Sequence, residues 1–278
     1  MMLSRRNIIA GLAAGAAPWA PARAAAKATA FALIGDRYHN SDYIRTALKR
    51  TIVREMGVSV DFTDEVELLN EKTLEGYKLL IILRDGMIWP DGYPDETTNA
   101  GWLTSGRPKL ISEPPLPASS AKPVFWMKPE QGRAVREFVA GGGGALLLHN
   151  VTHIGATNAD FRHVLGASYV GHPPVRTFKV RISNPKHPIA RGVRDFVVTD
   201  EQHYMEYDKD PNFIFLETVN EDGLTYEKYG AKAPGGWAFD YERGRVCYMS
   251  PGHLLAVLWN PEYVKLQQNA VRWLLRQG

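Results

Sequence analysis

The fold class is decided by the stretch Gly141-Gly-Gly-Gly-Ala-Leu-Leu-Leu-His-Asn150. Its glycines end a predicted helix that begins at Pro129, where a proline in the first turn loses no hydrogen bond. The apolar run that follows, 145–148, is typical of a buried strand, and similar runs lie at 29–34, 58–62 and 78–83. A predicted helix over 41–56 separates the first two runs. Strands that alternate with helices predict βαβ units and a mainly parallel sheet.

The second half of the chain is richer in strands. Apolar or alternating segments predict strands at 175–182, 196–204, 213–219, 236–241 and 245–249, followed by a helix over 261–276. A long excursion, 89–129, is rich in Pro, Gly and Ser and contains one strand-like piece at 108–112. Excursions of that length in compact domains are usually functional or mobile. We predict one α/β domain over 25–278.

The first residues are typical of a twin-arginine export signal. Arg5 and Arg6 precede an apolar run that extends to Ala17, and small-x-small cleavage sites end at Ala24 and Ala26. This run is shorter than the roughly 20 apolar residues that a membrane span needs. We therefore predict a signal over 1–24, export of the folded chain to the periplasm or beyond, and no stable membrane insertion. The alternative is an uncleaved amphipathic anchor, although an Ala/Gly-rich segment holds lipid weakly.

Charge and cysteine content exclude several classes of protein. The formal net charge is +3, and the signal alone contains Arg5, Arg6 and Arg23 with no acidic residue. The mature chain is therefore neutral, without the concentrated positive charge that nucleic acid or anionic membranes require. Cys247 is the only cysteine, which rules out an internal disulfide. Its apolar strand predicts a buried structural thiol and not a nucleophile.

Five separated pieces of sequence, in this order, resemble the ThuA-like (trehalose-utilisation) family, a branch of the class I glutamine amidotransferase-like superfamily. They are GDRYHN at 35–40, GGGALLLHN at 142–150, HPIARG at 187–192, DEQHY at 200–204 and RGRVCYMSPGH at 243–253. The resemblance implies a flavodoxin-like three-layer sandwich and a link to sugar metabolism. The amidotransferases carry a cysteine nucleophile on the turn where this chain has His149, so glutaminase chemistry by that route is excluded.

Three histidines follow predicted strands of the parallel sheet. In open sheets of this kind, ligands bind beyond the carboxyl ends of the strands. His39, His149 and His253 each come directly after a predicted strand or its turn. We expect them to open into one crevice and to bind substrate together with the neighbouring Asn40 and Asn150. A turn or capping role is the alternative for His39 and His253.

The densest polar cluster is the DEQHY segment. In an extended strand, Glu201 and His203 share one face and Tyr204 lies on the other. A Glu beside a His suits an acid/base pair or two metal ligands, whereas a solvent-facing strand with an incidental ion pair is the alternative. We predict His149, Glu201 and His203 as catalytic residues. We also predict His39, His149 and Glu201 as ligands of a divalent metal, Zn or Mn.

The remaining polar features carry weaker signals. The glycines at 141–144 follow a helix and precede a strand, the wrong order for a dinucleotide or phosphate loop, so no nucleotide cofactor is expected. His172 precedes two prolines, and we interpret it as a loop residue, at the rim of the pocket or away from it. We interpret His187 as structural and His163 as a surface or core residue.

Two functions fit these features. The first is a lyase, hydrolase or isomerase that applies these groups, with or without a metal, to a sugar, keto-sugar or glycoside. The second is a non-catalytic carbohydrate-binding or accessory protein, whose exposed aromatic residues stack on sugar faces. In either case the ligand is a small carbohydrate, Trp102 and Tyr204 are expected to contact it, and a homo-oligomer is left open. The aromatic residues of the excursion are Trp89, Tyr93, Trp102 and Trp126.

Overall fold

The computed structural model describes residues 27–90 and 122–277. The predicted signal, the strand-like piece at 108–112, Tyr93 and Trp102 lie outside the described residues. Within the described ranges, no helix is both long enough and apolar enough to cross a bilayer.

A mixed sheet lies at the centre of the described structure. The strands are β1 (Ala30–Ile34), β2 (Val60–Thr63), β3 (Leu79–Leu83), β4 (Met87–Ile88), β5 (Val124–Phe125), β6 (Gly144–Leu148), β7 (Ala167–Gly171), β8 (Arg176–Ile182), β9 (Phe196–Asp200), β10 (Tyr204–Tyr207), β11 (Ile214–Val219), β12 (Lys232–Tyr241) and β13 (Gly244–Met249). The order in the main sheet is β2-β1-β3-β6-β13-β12-β11-β8-β9. Neighbours from β2 to β13 run parallel, and those from β13 to β9 run antiparallel.

Helices cover both faces of this sheet. They are α1 (Ser41–Leu48), which continues as a π-helical segment (Lys49–Arg54), α2 (Glu71–Leu74), α3 (Pro129–Ala140), α4 (Thr152–Gly155), α5 (Ala159–Leu165), α6 (Leu255–Leu258) and α7 (Pro261–Leu274). α1 and α7 pack into one core cluster, and α3 and α5 pack into a second. The side chains of β1 alternate between the two, with Ile34 in the first and Leu33 in the second. This arrangement confirms the predicted α/β three-layer sandwich.

The parallel strands explain why short apolar runs dominate the sequence. Every residue of β1, β3 and β6 is buried, as expected where helices cover both faces of a sheet. The edge strand β9 instead alternates buried and exposed residues, which is typical of a strand with one solvated face. The parallel arrangement places the carboxyl ends of β1, β3, β6 and β13 at the same edge of the sheet.

The single strand predicted over 196–204 is wrong in its second half, where residues 201–203 are irregular. β9 ends at Asp200, and β10 begins at Tyr204 and pairs with β7 outside the main sheet. The reason lies in Asp200, whose carboxylate accepts hydrogen bonds from the backbone N–H groups of Gly252 and His253. These bonds tie the end of β9 to the loop after β13. Glu201 therefore comes from an irregular segment and not from a strand face.

Cys247 lies in β13 with no exposed surface. Burial raises the pKa of its thiol, because the thiolate would have to form in an apolar environment. Its position agrees with the prediction of a structural thiol.

Candidate metal and acid–base site

Three histidines that follow strands of the parallel sheet lie side by side. His39 comes after β1, His149 after β6, and His253 in the loop after β13. Nε2 of His39 is 3.1 Å from Nε2 of His149 and 2.8 Å from Nδ1 of His253. His39 and His149 are buried. The structure thus brings together the three histidines that the strand-end rule selects.

Glu201 completes this group from the segment between β9 and β10. Its Oε2 is 3.3 Å from Nε2 of His149 and 3.4 Å from Nδ1 of His253. The ligand atoms of His39, His149, Glu201 and His253 all lie within 4.8 Å of one another. Burial opposes ionisation of Glu201, but hydrogen bonds with His149 and His203 lower its pKa well below the usual range. The cluster therefore contains a carboxylate among imidazoles.

The ring of His39 is fixed from behind by a buried carboxylate. Nδ1 of His39 lies 2.8 Å from Oδ1 of Asp36, which also accepts the backbone N–H groups of Tyr38 and His39. Oδ2 accepts the side-chain amide of Asn150 and the backbone N–H of Asp85. Burial opposes ionisation, yet His39 and these bonds lower the pKa of Asp36 to about 2. Asp36 is therefore only an acceptor, which favours a proton on Nδ1 of His39 and a lone pair on Nε2 toward the cluster, although the amide nitrogen of Asn150 also lies 2.9 Å from Nδ1.

His149 is fixed in a similar way by the backbone. Its Nδ1 is 2.8 Å from the carbonyl oxygen of Ser250. The φ angle of His149 is 53°, a region that non-glycine residues seldom adopt outside functional sites. Gly252 allows this close approach, because a Cβ there would lie 3.0 Å from Cβ of His149. Although burial lowers the pKa of His149, Glu201 and Asp200 raise it overall.

Two further imidazoles approach the same oxygen of Glu201. Nε2 of His203 is 3.3 Å and Nε2 of His172 is 3.7 Å from Oε2 of Glu201. The two rings stack, with centroids 5.0 Å apart and an interplanar angle of 10°. Burial, reinforced by the charge of His149, holds the pKa of His203 well below its usual value. His203 is therefore neutral near pH 7 and can accept a proton.

Several residues expected to contact a ligand have other partners. The side-chain oxygen of Asn40 caps α1, and the amide of Asn150 supports Asp36. Tyr204 is fully buried, and its hydroxyl donates to the carbonyl oxygen of Gly230. The expectation that Tyr204 contacts the carbohydrate is therefore corrected: its ring is fully buried and cannot reach a ligand. Trp102 lies outside the described residues.

The described aromatic residues near the excursion differ in exposure. Trp126 is buried, and its Nε1 donates to the carbonyl oxygen of Asp85 at 2.7 Å, so it anchors the chain and does not offer a face to a sugar. Tyr38 is 47% exposed, and its ring meets that of Trp89 edge-on at 5.9 Å. The guanidinium of Arg37 lies 4.9 Å above Trp89. A cavity of about 380 Å³ borders Arg37 and Trp89 beside the loop that carries His39.

Some residues of the site are not selected by sequence reasoning. Asp36 is one, although its position three residues before His39 at a strand end is a signal that could have found it. His172 is another: it comes from the loop between β7 and β8, and β7 has no counterpart in the predicted strands. His153, four residues after His149, packs against Phe125 and lies outside the cluster.

Comparison with solved structures agrees with this fold. The chain is similar to a ThuA-like protein from Bacteroides uniformis, with a TM-score of 0.58 and 15% identity over 92% of this chain and 95% of that one. A ThuA-like protein from Parabacteroides merdae gives a TM-score of 0.57 and 14% identity over 89% and 90%. A β-galactosidase from Bacillus circulans gives 0.52 and 13% identity over 90% of this chain but 32% of that one. At these identities the likeness shows the fold alone.

The family follows from the sequence. No curated protein matches the chain significantly. The family model ThuA, described as trehalose utilisation, matches residues 120–274. That segment is more than half of the chain and includes four of the clustered histidines and Glu201. The match confirms the resemblance predicted from the five motifs, and the chain belongs to the ThuA family.

Proposed function

We propose that this chain is an exported enzyme of carbohydrate metabolism that performs acid/base chemistry with the help of a divalent metal ion. The observation that carries the proposal is the convergence of His39, His149, Glu201 and His253 at the carboxyl end of a parallel sheet. These four residues are called the inner group below. The family description, trehalose utilisation, supports a sugar, keto-sugar or glycoside as the substrate.

The donor set of the inner group suits a divalent metal. Zn²⁺ binds imidazole nitrogen and carboxylate oxygen at about 2.0–2.2 Å, so two ligands of one tetrahedral ion lie about 3.4 Å apart. The contacts of the inner group span 2.8 to 3.4 Å. Metal-binding histidines usually donate their other ring N–H to a carboxylate or a carbonyl, as His39 does to Asp36 and His149 to Ser250. Imidazole and carboxylate ligands together suit Zn or Mn.

The chain's own side chains would carry the proton. Glu201 is ionised and His203 is neutral, and the two are 3.3 Å apart, so either can take a proton from a substrate carbon next to a carbonyl. A metal held by the inner group would supply a Lewis acid for that carbonyl oxygen, which would bind as an additional, fifth ligand. Removal of such a proton is the step that elimination, hydration and isomerisation of keto-sugars share. General acid–base catalysis contributes about 10²–10⁴-fold.

Solvent exchange tests the proposal. In deuterated water, the metal-loaded, untagged protein should catalyse the exchange of the hydrogen next to the carbonyl of a 3-keto-glycoside for deuterium. The rate of this exchange is measured by NMR. Glu201→Gln, or removal of the metal by chelation, should slow this exchange by about 100-fold or more. His163→Ala is the control, because its ring bonds to Tyr241 away from the cluster, and it should keep the full rate. A wild-type rate no faster than that of Glu201→Gln, across a panel of keto-sugars, would count against the enzyme.

One aromatic pair supports a second candidate function, carbohydrate binding without catalysis. Tyr38, on the loop that also carries His39, is exposed, and its ring contacts the ring of Trp89, which follows β4. Aromatic faces of this kind offer apolar area to a sugar ring. A binding protein should lose its affinity for the sugar in Trp89→Ala and keep it in Glu201→Gln. Calorimetric titration with the same panel of sugars distinguishes the two functions.

Export through the twin-arginine route is part of the proposal. Its support is the Arg5-Arg6 pair, the short apolar run and the small-residue cleavage sites. Folding before export suits a protein that acquires a metal inside the cell, because the metal is then bound before the chain reaches the periplasm.

A further inference from the structure

Glu201 contacts more imidazoles than one metal site needs. Four ring nitrogens lie 3.3 to 3.7 Å from its Oε2. Two of them belong to His149 and His253 of the inner group, which already offers four ligands, the number that tetrahedral zinc takes. The other two belong to His172 and His203. Together with Glu201, these two histidines form what we call the outer group.

The outer group has the dimensions of a metal site. The ligand atoms of His172, Glu201 and His203 all lie within 4.8 Å of one another. Two ligands of one ion can be at most about 4.2 Å apart, twice a bond of about 2.1 Å. The distances from Oε2 of Glu201 to Nε2 of His203 and of His172, 3.3 and 3.7 Å, satisfy that limit. The two groups share only Glu201, and a carboxylate, with two oxygens and about four lone-pair positions, can serve two ions.

His172 is oriented as a ligand. Its Nδ1 lies 2.8 Å from the carbonyl oxygen of Pro173. A carbonyl only accepts, so the ring proton lies on Nδ1 and the lone pair of Nε2 points at the carboxylate of Glu201. Two acceptors that face each other repel, and a cation between them removes the repulsion. The ring orientation thus leaves Nε2 of His172, 3.7 Å from Oε2 of Glu201, as the nitrogen that faces the carboxylate, where either a proton or a bound cation removes the repulsion.

His203 is free to change the position of its ring proton. Its buried Nδ1 has no hydrogen-bond partner among the described residues. The proton can lie on Nε2, where it is donated to Glu201, or on Nδ1, where its presence breaks no existing hydrogen bond. In the second form the lone pair of Nε2 is available to an ion.

We propose that the outer group holds a second divalent ion, which Glu201 bridges to the first. This inference rests on the proposed function, because it assumes the first ion in the inner group. His39 and His149 are buried, whereas the side chain of His172 is 29% exposed. The outer ion therefore faces solvent, exchanges faster and binds more weakly than the inner one. Paired metal ions in such sites lie about 3.5–4 Å apart.

The second ion changes the role of His203. In the two-ion state His203 is a ligand and no longer a base. The outer ion would then supply the base, because a metal such as zinc lowers the pKa of a bound water to about 7 and the resulting hydroxide would accept the proton. A substrate enters from the solvent side and meets the outer ion first.

Manganese titration tests the second site. The exported protein, purified without a histidine tag and stripped with a chelator, is titrated with Mn²⁺; bound ions are counted by elemental analysis and observed by EPR. We expect two ions per chain in the wild type, with a spin-coupled spectrum. His172→Ala should bind one ion and show the six-line spectrum of isolated Mn²⁺. His163→Ala, the matched control, should bind two. Thermal melts check that each variant is folded.

The outcomes separate the two proposals. One ion per chain in the wild type, unchanged in His172→Ala, overturns the outer site and leaves the inner one standing. Two ions in both the wild type and His172→Ala overturn the assignment of His172. No ion in the wild type at saturating Mn²⁺ overturns the inner and the outer site together.

Discussion

Nε2 of His39 and Nε2 of His149 face each other at 3.1 Å, and when both rings are neutral neither of these two nitrogens carries a proton to donate to the other. Each ring gives its Nδ1 proton to a group that only accepts, Asp36 for His39 and the carbonyl of Ser250 for His149. Two lone pairs at this distance require a positive charge. A proton on His149 supplies it in the metal-free protein, in agreement with its raised pKa, and a divalent ion supplies it in the state that we propose.

Asp36→Asn tests the support behind His39. The amide keeps the size of the carboxylate but loses the charge and turns one acceptor into a donor, which conflicts with the N–H groups that point at Asp36. Replacing such supporting groups typically weakens metal affinity about 10–100-fold. We expect that loss in a competition assay with a chromogenic chelator. Asp42→Asn is the control, because the Asp42 side chain is 83% exposed. Equal affinities in Asp36→Asn and wild type would refute the role of Asp36.

Cys247 should be chemically inert in the folded protein. Its side chain is fully buried in β13 and its thiol pKa is raised, so little reactive thiolate is present. We expect no modification by iodoacetamide in the native state and complete modification in denaturant, as measured by mass spectrometry. Modification of the native protein that also stops the solvent exchange would contradict the assignment of Cys247 as a structural thiol.

Much of the site could be predicted because strand ends converge in a parallel sheet. His39, His149 and His253 follow β1, β6 and β13, and the order of those strands alone brings their ends together. The parallel part of the sheet was predictable because its strands β1, β3 and β6 are fully buried, and buried strands are continuous apolar runs that can be recognised in the sequence.

Residues placed by long-range contacts could not be predicted. His172 reaches Glu201 because β7 pairs with β10, and neither this pairing nor β7 has a local signal. Glu201 was predicted as a site residue, but its place in an irregular segment was not, because the hydrogen bonds that the backbone N–H groups of Gly252 and His253 donate to Asp200 end the strand early. Tyr204 is the last residue of the polar DEQHY segment but is buried, because β10 pairs with β7 outside the main sheet.

The signal is tested by the paired substitution Arg5→Lys with Arg6→Lys. The twin-arginine route requires the arginine pair itself, so a pair of lysines should hold the chain inside the cell although the charge is the same. Cell fractionation and immunoblotting measure the distribution. Arg23→Lys, in the same signal but outside the pair, should leave export unchanged. Periplasmic accumulation of the double variant would show that another route carries the chain.

The most direct test of the account is the metal retained by the inner group. Wild-type protein without a histidine tag, loaded with Zn²⁺ or Mn²⁺ and dialysed against metal-free buffer, should keep at least one ion per chain by elemental analysis. His149→Ala should keep fewer ions than the wild type, because the inner group loses one of its four ligands and binds its ion more weakly, whereas His163→Ala should keep as many as the wild type. A folded wild-type protein that keeps no ion, or a His149→Ala variant that keeps as much as the wild type, would contradict the metal site on which the proposed chemistry depends.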